Sequence, residues 1–245
     1  MKIIIVIPCH NEKTVLQKNI KEILEAIKII PQDIKIVISD NNSKDRTGDI
    51  GRRLAQESDR VEYVFVGEQG KGAAVMEAWK RFDADIYGFM DADLATDLGA
   101  LPGAIRTMNS YDAVIGSRRI VGARVNREFY RRFTSVILNL IIRLMFGSCI
   151  KDTPCGFKFF RRKIIEQIAP LVKDRRWTFD TELLILAERA GFKIKEIPVK
   201  WEEKGERKSR VSIYPTASGY LKKLWEIRKR LSAGNSPFKN SPSKN

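Results

Sequence analysis

Strand-length β-branched runs alternating with helix-length amphipathic stretches constrain the fold of this chain more than any other feature. The runs fall at 3–7, 34–39, 61–66, 86–90 and 113–116, and the stretches between them at 14–30, 47–58, 71–82 and 99–109. This alternation predicts an α/β layer fold with a mostly parallel sheet flanked by helices. In such sheets ligands sit beyond the carboxyl ends of the strands. The polar clusters that follow the runs are therefore read as one site: His10-Asn11-Glu12, Asp40-Asn41-Asn42-Ser43, Gln69-Gly70-Lys71-Gly72, Asp91-Ala92-Asp93 and Gly116-Ser117-Arg118.

Asp91 and Asp93 carry the plainest chemistry. If 86–90 is a buried strand, both carboxylates emerge where it leaves the sheet, and two hard oxygen donors at that spacing suit a divalent cation. The same pattern also makes an ordinary strand-end turn or helix cap. The pair alone does not separate the two readings.

The formal charge of +15 is concentrated. Segment 118–132 holds six Arg against one Glu, and the stretch from Lys204 onward holds eleven basic residues against two Glu. Such concentration points to a phosphate, a nucleic acid or an anionic membrane face, although basic surfaces also serve solubility alone. The basic segments lack the interleaved aromatics of a nucleic-acid motif, which speaks against an RNA-binding module. Cys9, Cys149 and Cys155 show no CxxC spacing, so neither a disulfide framework nor a structural zinc is expected, and a reducing compartment is. No run reaches the roughly 20 apolar residues of a membrane span. The apolar N-terminus before Pro8 is too short for a signal peptide.

After Arg118 the pattern changes to a basic segment, an apolar helix at 133–146, a loop at 151–157, a helix at 181–190 and a strand at 194–201. A last helix, 214–231, mixes Leu221, Leu224 and Trp225 with Lys222, Lys223, Lys229 and Arg230. It reads either as a helix packed on the core or as one lying among lipid headgroups. The Ser/Pro/Asn/Lys-rich tail at 232–245 is expected to be disordered.

With its clusters in this order the chain resembles family-two glycosyltransferases of the GT-A type, and among them the dolichyl-phosphate and polyprenyl-phosphate hexose synthases. The resemblance rests on Val6-Ile7-Pro8-Cys9-His10-Asn11-Glu12, Ser39-Asp40-Asn41-Asn42-Ser43, Gly70-Lys71-Gly72-Ala73-Ala74, Met90-Asp91-Ala92-Asp93-Leu94 and Gly116-Ser117-Arg118. Asp152-Thr153-Pro154-Cys155-Gly156-Phe157-Lys158 and Trp177-Thr178-Phe179-Asp180-Thr181-Glu182 look closer to the glucosyltransferase branch than to the mannosyl branch. It implies a Rossmann-like nucleotide-binding sheet in one catalytic domain, 1–231, with a donor half at 1–117 and an acceptor half at 118–231. It also implies an inverting transfer of a hexose from UDP-glucose or GDP-mannose to dolichyl or polyprenyl phosphate, by a peripheral protein on the cytoplasmic, anionic face of a membrane. Transfer to a saccharide or protein acceptor is the alternative, because the donor half is shared across the family.

Residue by residue, the resemblance implies that Pro8, His10, Glu12 and Asp40 line the nucleoside pocket, Asp40 accepting from the base. Lys71 and Ala92 would contact the donor, and Arg207 or Arg210 would close over its phosphates. Gly70 and Gly72 are expected to let backbone and ammonium approach the ligand. Asp93 would coordinate Mg²⁺ or Mn²⁺, with Asp91 nearer the ribose or a metal-bound water. Mannosyl relatives often carry Gln two residues beyond the second Asp; here Ala95 stands there, so coordination would pass to Asp97, a water or the diphosphate. Arg118, Arg131 and Ser135 match acceptor-phosphate positions, where a planar guanidinium donates two parallel bonds. The alternative is that Arg119, Arg124, Arg127 and Arg132, and some of those three, are merely solvated or face anionic lipid; two or three genuine phosphate contacts are expected among the six arginines. A lipid phosphate is already ionised near neutral pH and needs no general base. Asp152 and the Asp180/Glu182 pair are accordingly expected to organise the acceptor loop, leaving Asp91, Asp93, Arg118 and Arg131 as the implied catalytic set.

Overall fold

The computed structural model describes the backbone of residues 1–126, 129–202 and 213–232, with the side chains of 129–135 and 213–218 outside the description. Strands β1 (Lys2–Cys9), β2 (Asp33–Asp40), β3 (Val61–Phe65), β4 (Ile86–Met90) and β5 (Ala113–Ser117) alternate with helices α1 (Leu16–Ile27), α2 (Thr47–Glu57), α3 (Lys71–Arg81) and α4 (Leu101–Thr107). The helix expected at 99–109 is divided, because the Asp97 carboxylate accepts from Gly99 N at 2.9 Å and caps a separate 3-10 turn, Leu98–Ala100. Then follow β6 (Arg124–Asn126), α5 (Phe129–Phe146), β7 (Phe157–Arg161), α6 (Arg162–Gln167), α7 (Phe179–Arg189), β8 (Ile194–Pro198), β9 (Lys200–Glu202) and α8 (Ile213–Ser232).

Seven strands form one sheet in the order β3-β2-β1-β4-β7-β5-β8. All run parallel except β7, which lies antiparallel between β4 and β5. Sequence reasoning had no strand at β7, and the cause is Lys158. This residue is fully buried and interrupts an otherwise apolar run, yet its ammonium donates to Asp180 Oδ2 at 2.6 Å and to the Cys155 carbonyl. A buried lysine that is paired in this way is invisible to hydropathy patterning. The strand expected at 194–201 is also divided: β8 joins the large sheet, and β9 leaves it to pair with β6 in a two-stranded ribbon.

The sheet separates two apolar layers. On one side Leu16, Ile20, Ile23 and Ile27 of α1 recur at helical spacing and pack with Ile3, Ile5, Ile36 and Ile38. On the other, Trp79 of α3 and Phe179 of α7 pack with Val37, Phe89 and Phe160. Burying each such aliphatic or aromatic side chain is worth about 1.5–3 kcal/mol, so the central strands form a rigid platform for the loops they carry.

Helix α8 packs on the core. Tyr220, Leu224, Ile227 and Leu231 are buried, the Tyr220 hydroxyl meets Thr181 Oγ1 at 2.5 Å, and Arg230 pairs with Glu182. Its Leu221 and Trp225 remain exposed. Among the described residues no helix is long and apolar enough to cross a membrane, and the tail expected to be disordered lies outside them beyond Ser232. Because β1 to β5 end at one edge of the sheet and the antiparallel β7 begins there, Cys155-Gly156 joins the five strand-end clusters that the sequence placed together.

Candidate active site

The first two clusters interlock. Cys9 of β1 pairs with Asp40 of β2, and beyond them Asn41 N donates to Cys9 O at 2.7 Å, Asn11 N to Ser43 Oγ at 3.0 Å and Glu12 N to Thr47 Oγ1 at 2.7 Å. Asn11 and Asn42 adopt φ of 57° and 55°, a left-handed conformation that asparagine tolerates. His10 Nδ1 lies 2.8 Å from the Asn41 carbonyl and its Nε2 lies 3.1 Å from Asn11 Nδ2. That pairing fits a neutral ring whose Nδ1–H donates and whose Nε2 accepts. Half-buried Pro8 and buried Glu12 sit at the same edge. Asp40 is buried, its Oδ1 accepting from Ser43 N at 3.0 Å and its Oδ2 from the Tyr63 hydroxyl at 2.9 Å. Burial first, and Asp40 next, push the Tyr63 phenol above its ordinary range. Tyr63 had no place in the sequence reading of this pocket.

Beyond β4 the chain turns sharply. Leu94 N donates to Asp91 O at 3.1 Å, Leu94 takes φ 49°, and Asp93 Oδ1 accepts from Ala95 N at 3.1 Å. A positive φ is costly for a leucine, and here it falls beside the two carboxylates. Asp93 thus caps its own turn, one residue beyond Ala92 and two beyond Asp91. The Ala92 carbonyl accepts from Asn19 Nδ2 at 2.7 Å, which ties this turn to α1. Asp97 does not join the pair: one of its oxygens caps Gly99 and the other lies 4.0 Å from Lys200 Nζ.

Lys71 meets Asp91 directly, Nζ to Oδ1 at 2.5 Å. Burial pulls its pKa down, but Asp91, Asp180 and Asp93 outweigh that and leave the ammonium above its usual range. The flanking glycines lie close against a neighbouring segment. A methyl group on Gly70, at φ +147°, would lie 2.2 Å from the Arg175 carbonyl, and one on Gly72 would lie 2.7 Å from Phe179 Cβ. Both glycines admit the 175–179 segment. Its Arg175 and Arg176 carbonyls also accept from Ala73 N and Gly72 N at 2.7 and 3.0 Å, occupying the first amides of α3.

Gly156 is the largest omission of the sequence reading. Its carbonyl accepts from Asp91 N at 3.1 Å, and a methyl group on it would lie 1.8 Å from Asp91 Oδ2. Glycine is required there for close approach. The motif containing it was quoted only for its resemblance to one branch of the family.

Arg118 turns its fork onto Asp152: Nε donates to Oδ2, Nη2 to Oδ1 and the Arg118 amide to Oδ2, each at 2.8 Å. Asp152 is fully buried. Burial raises its pKa, the adjacent Arg118 lowers it further, and the net position is below the ordinary carboxylate range. Nε and Nη2 of this guanidinium are therefore already committed to a carboxylate. The next residue, Thr153, donates through N and Oγ1 to Asn139 Oδ1 at 3.0 and 3.2 Å, which anchors the loop to α5. Asp180 holds Lys158, and Glu182 accepts from Lys173 N and Asp174 N at 3.1 and 2.9 Å as well as from Arg230. Each of these carboxylates is thus committed to basic side chains or backbone amides. The side chains of Arg131 and Ser135, on α5, and the whole of Arg207 and Arg210 lie outside the described residues.

Burial pushes the Cys155 thiol up to about 11, so it stays neutral and inert near neutral pH. In the folded protein at pH 8, iodoacetamide is expected to label exposed Cys149 and to spare buried Cys9 and Cys155, as read by peptide mass spectrometry.

Comparison with known proteins agrees with this geometry. The family model "Glycosyl transferase family 2" matches residues 4–169. Glycosyltransferase AglD of Haloferax volcanii is 32% identical over 94% of this chain, which spans 38% of AglD. Dolichyl-phosphate beta-glucosyltransferase ALG5D of Trichomonas vaginalis is 30% identical over 92% of the chain and 76% of the relative. Dolichol-phosphate mannosyltransferase of Pyrococcus furiosus is 27% identical, over 94% and 64%. Among solved structures, glucosyl-3-phosphoglycerate synthase of Mycobacterium tuberculosis with Mn²⁺, UDP-glucose and phosphoglyceric acid superimposes at TM-score 0.67 and 16% identity, covering 93% of this chain and 80% of the synthase; that likeness speaks to fold. A parallel sheet with its carboxylates and basic groups at one edge, and a family match over most of the chain, lead to one conclusion: this chain is a GT-A enzyme belonging to glycosyl transferase family 2.

Proposed function

We propose that the protein transfers a hexose, glucose in the first instance, from a nucleotide sugar to a dolichyl or polyprenyl phosphate, with inversion at C1. The observation that carries this reading is the meeting of Asp91, Asp93, Lys71 and Arg118 at the carboxyl edge of the sheet, in a chain akin to dolichyl-phosphate glucosyltransferases. Asp91 and Asp93 are hard oxygen donors, and among the described residues no third His, Cys, Asp or Glu completes a metal group with them. That donor set fits Mg²⁺ or Mn²⁺ arriving with a diphosphate that supplies the remaining oxygens. When bound, the cation would stabilise negative charge on the departing nucleoside diphosphate.

The chain's own groups would do the rest. Pro8, His10, Glu12 and Asp40 would hold the nucleoside, and Lys71 would contact the diphosphate. Arg118, braced by Asp152, would orient the acceptor phosphate, with Arg131 and Ser135 beside it. His10 has both ring nitrogens engaged, and Asp152, Asp180 and Glu182 are committed to arginine, lysine or amide donors. An acceptor that is already ionised suits such an edge, because it needs no proton removed.

The lipid would reach the site from a membrane. Helices α5 and α8 pack together, and each keeps exposed apolar residues: Val136, Ile137, Leu140 and Leu144 on α5, Leu221 and Trp225 on α8. Exposed Arg143, Lys222 and Lys229 lie among them. We assign this face to peripheral attachment on an anionic, cytoplasmic leaflet.

The test supplies radiolabelled UDP-glucose or GDP-mannose, Mn²⁺ and dolichyl phosphate in vesicles. Label entering an organic-extractable, acid-labile product supports the reading. Label passing only to added saccharides or proteins refutes the lipid acceptor, and salt-insensitive or absent binding to phosphatidylserine vesicles refutes the attachment.

A further inference from the structure

We propose that Lys71 is the resident counter-cation of Asp91, and that a divalent metal gains Asp91 by exchange with this ammonium when a nucleoside diphosphate draws it away. The inference rests on the glycosyltransferase reading above and concerns the order in which that site is filled.

Three observations carry it. First, Lys71 Nζ sits on Asp91 Oδ1 at 2.5 Å, with only 13% of the lysine side chain exposed. It occupies the flank of the carboxylate on which a cation would bind. Second, Asp91 rests with its other oxygen against Gly156. Its amide is held by the Gly156 carbonyl at 3.1 Å, and its Oδ2 lies so close to Gly156 that a methyl group there would stand 1.8 Å away. Third, Asp91 and Asp180 are each already matched by an ammonium. Asp180 is already paired with Lys158 at 2.6 Å, and the Lys71 and Lys158 ammoniums lie 5.1 and 5.3 Å from the Phe89 ring centre. Two carboxylates are thus matched by two ammoniums around one aromatic ring.

Adding a dication at Asp91 and Asp93 places it beside the Lys71 ammonium, a like charge. A diphosphate removes the conflict, because its oxygens accept from the displaced ammonium while they complete the coordination of the metal. The stem of Lys71 is well placed for such a swing. Gly70 and Gly72 fix its backbone against residues 175–179, so that only the ammonium end moves.

The experiment titrates Mn²⁺ into the full chain, by calorimetry and by the electron paramagnetic resonance signal of free Mn²⁺, alone and with UDP or GDP. Wild type is expected to bind Mn²⁺ at least tenfold more weakly alone than with the nucleotide. Lys71→Met keeps the stem and removes the charge. It is expected to raise affinity for Mn²⁺ alone at least tenfold and to shrink the coupling between metal and nucleotide by the same factor, since linkage is reciprocal. Lys71→Arg, which keeps the charge, is expected to behave as wild type, and circular dichroism checks that each variant is folded. If Lys71→Met leaves affinity for Mn²⁺ alone unchanged or weaker while nucleotide-dependent binding persists, the exchange is overturned and the glycosyltransferase reading stands. The exchange is also overturned if Lys71→Arg raises the affinity as Met does, or if wild type binds Mn²⁺ equally well without nucleotide. Failure of wild type to bind Mn²⁺ under any of these conditions overturns the exchange together with the metal role of Asp91 and Asp93.

Discussion

Gly156→Ala is expected to lower kcat/KM for sugar transfer by about 100-fold or more while the protein remains folded. The added methyl group would lie 1.8 Å from Asp91 Oδ2 and 2.3 Å from its Cγ, far inside contact distance. The obstructed atoms belong to the tip of a short, rotatable and 41% exposed side chain, so the fold relaxes by turning the carboxylate aside. Overpacking of this kind costs about 1–3 kcal/mol of stability. The larger loss falls on function: a misplacement of about 1 Å at a reacting centre commonly costs ~100-fold, which corresponds to about 2.7 kcal/mol in the barrier. Calorimetric binding of UDP-glucose with Mn²⁺ is expected to weaken in parallel, while the thermal unfolding midpoint drops modestly. Activity within twofold of wild type would show that the contact between β7 and Asp91 does not position that carboxylate.

Asp152→Asn is expected to destabilise the protein by about 3–5 kcal/mol, because it leaves the buried Arg118 guanidinium without its counter-charge. Asparagine fills the same space but presents one accepting oxygen where three donors of Arg118 converge. The pH dependence carries a definite sign. Asp152 has its folded-state pKa below the ordinary value, so its contribution is fully present above the unfolded carboxylate pKa, about 3.9, and is lost as pH falls through the lower folded-state value. The gap in denaturant-measured stability between wild type and variant is therefore expected to be widest near neutrality and to close in acid. Replacing both partners, Arg118→Met with Asp152→Leu, is expected to recover much of the stability without recovering transfer. A double variant that regained full activity would remove Arg118 from the acceptor site.

Several parts of this architecture could be read from residue order, and each has a local cause. The central strands are continuous apolar runs and α1 is an apolar stripe at helical spacing, so their type and order follow from burial periodicity alone. The convergence of Asp40, Asp91 and Arg118 followed too, because strands of one direction end at one edge. What escaped has a common physical origin. Lys158 hid a strand because a charge neutralised by Asp180 is buried without penalty enough to exclude it. The role of Gly156 was hidden because it depends on β7 entering beside β4, and β7 itself was not visible.

The chain's local chemistry thus dictates a parallel α/β sheet, the strand ends at which carboxylates and cations stand, and the kinship that their order reveals. Only the folded molecule decides which charge faces which: Lys71 onto Asp91, Arg118 onto Asp152, Lys158 onto Asp180 and Glu182 onto Arg230. The reason is that hydropathy and spacing act along the chain, whereas these pairs join residues 20, 34, 22 and 48 positions apart and exist only once an antiparallel strand and a terminal helix have packed against the sheet.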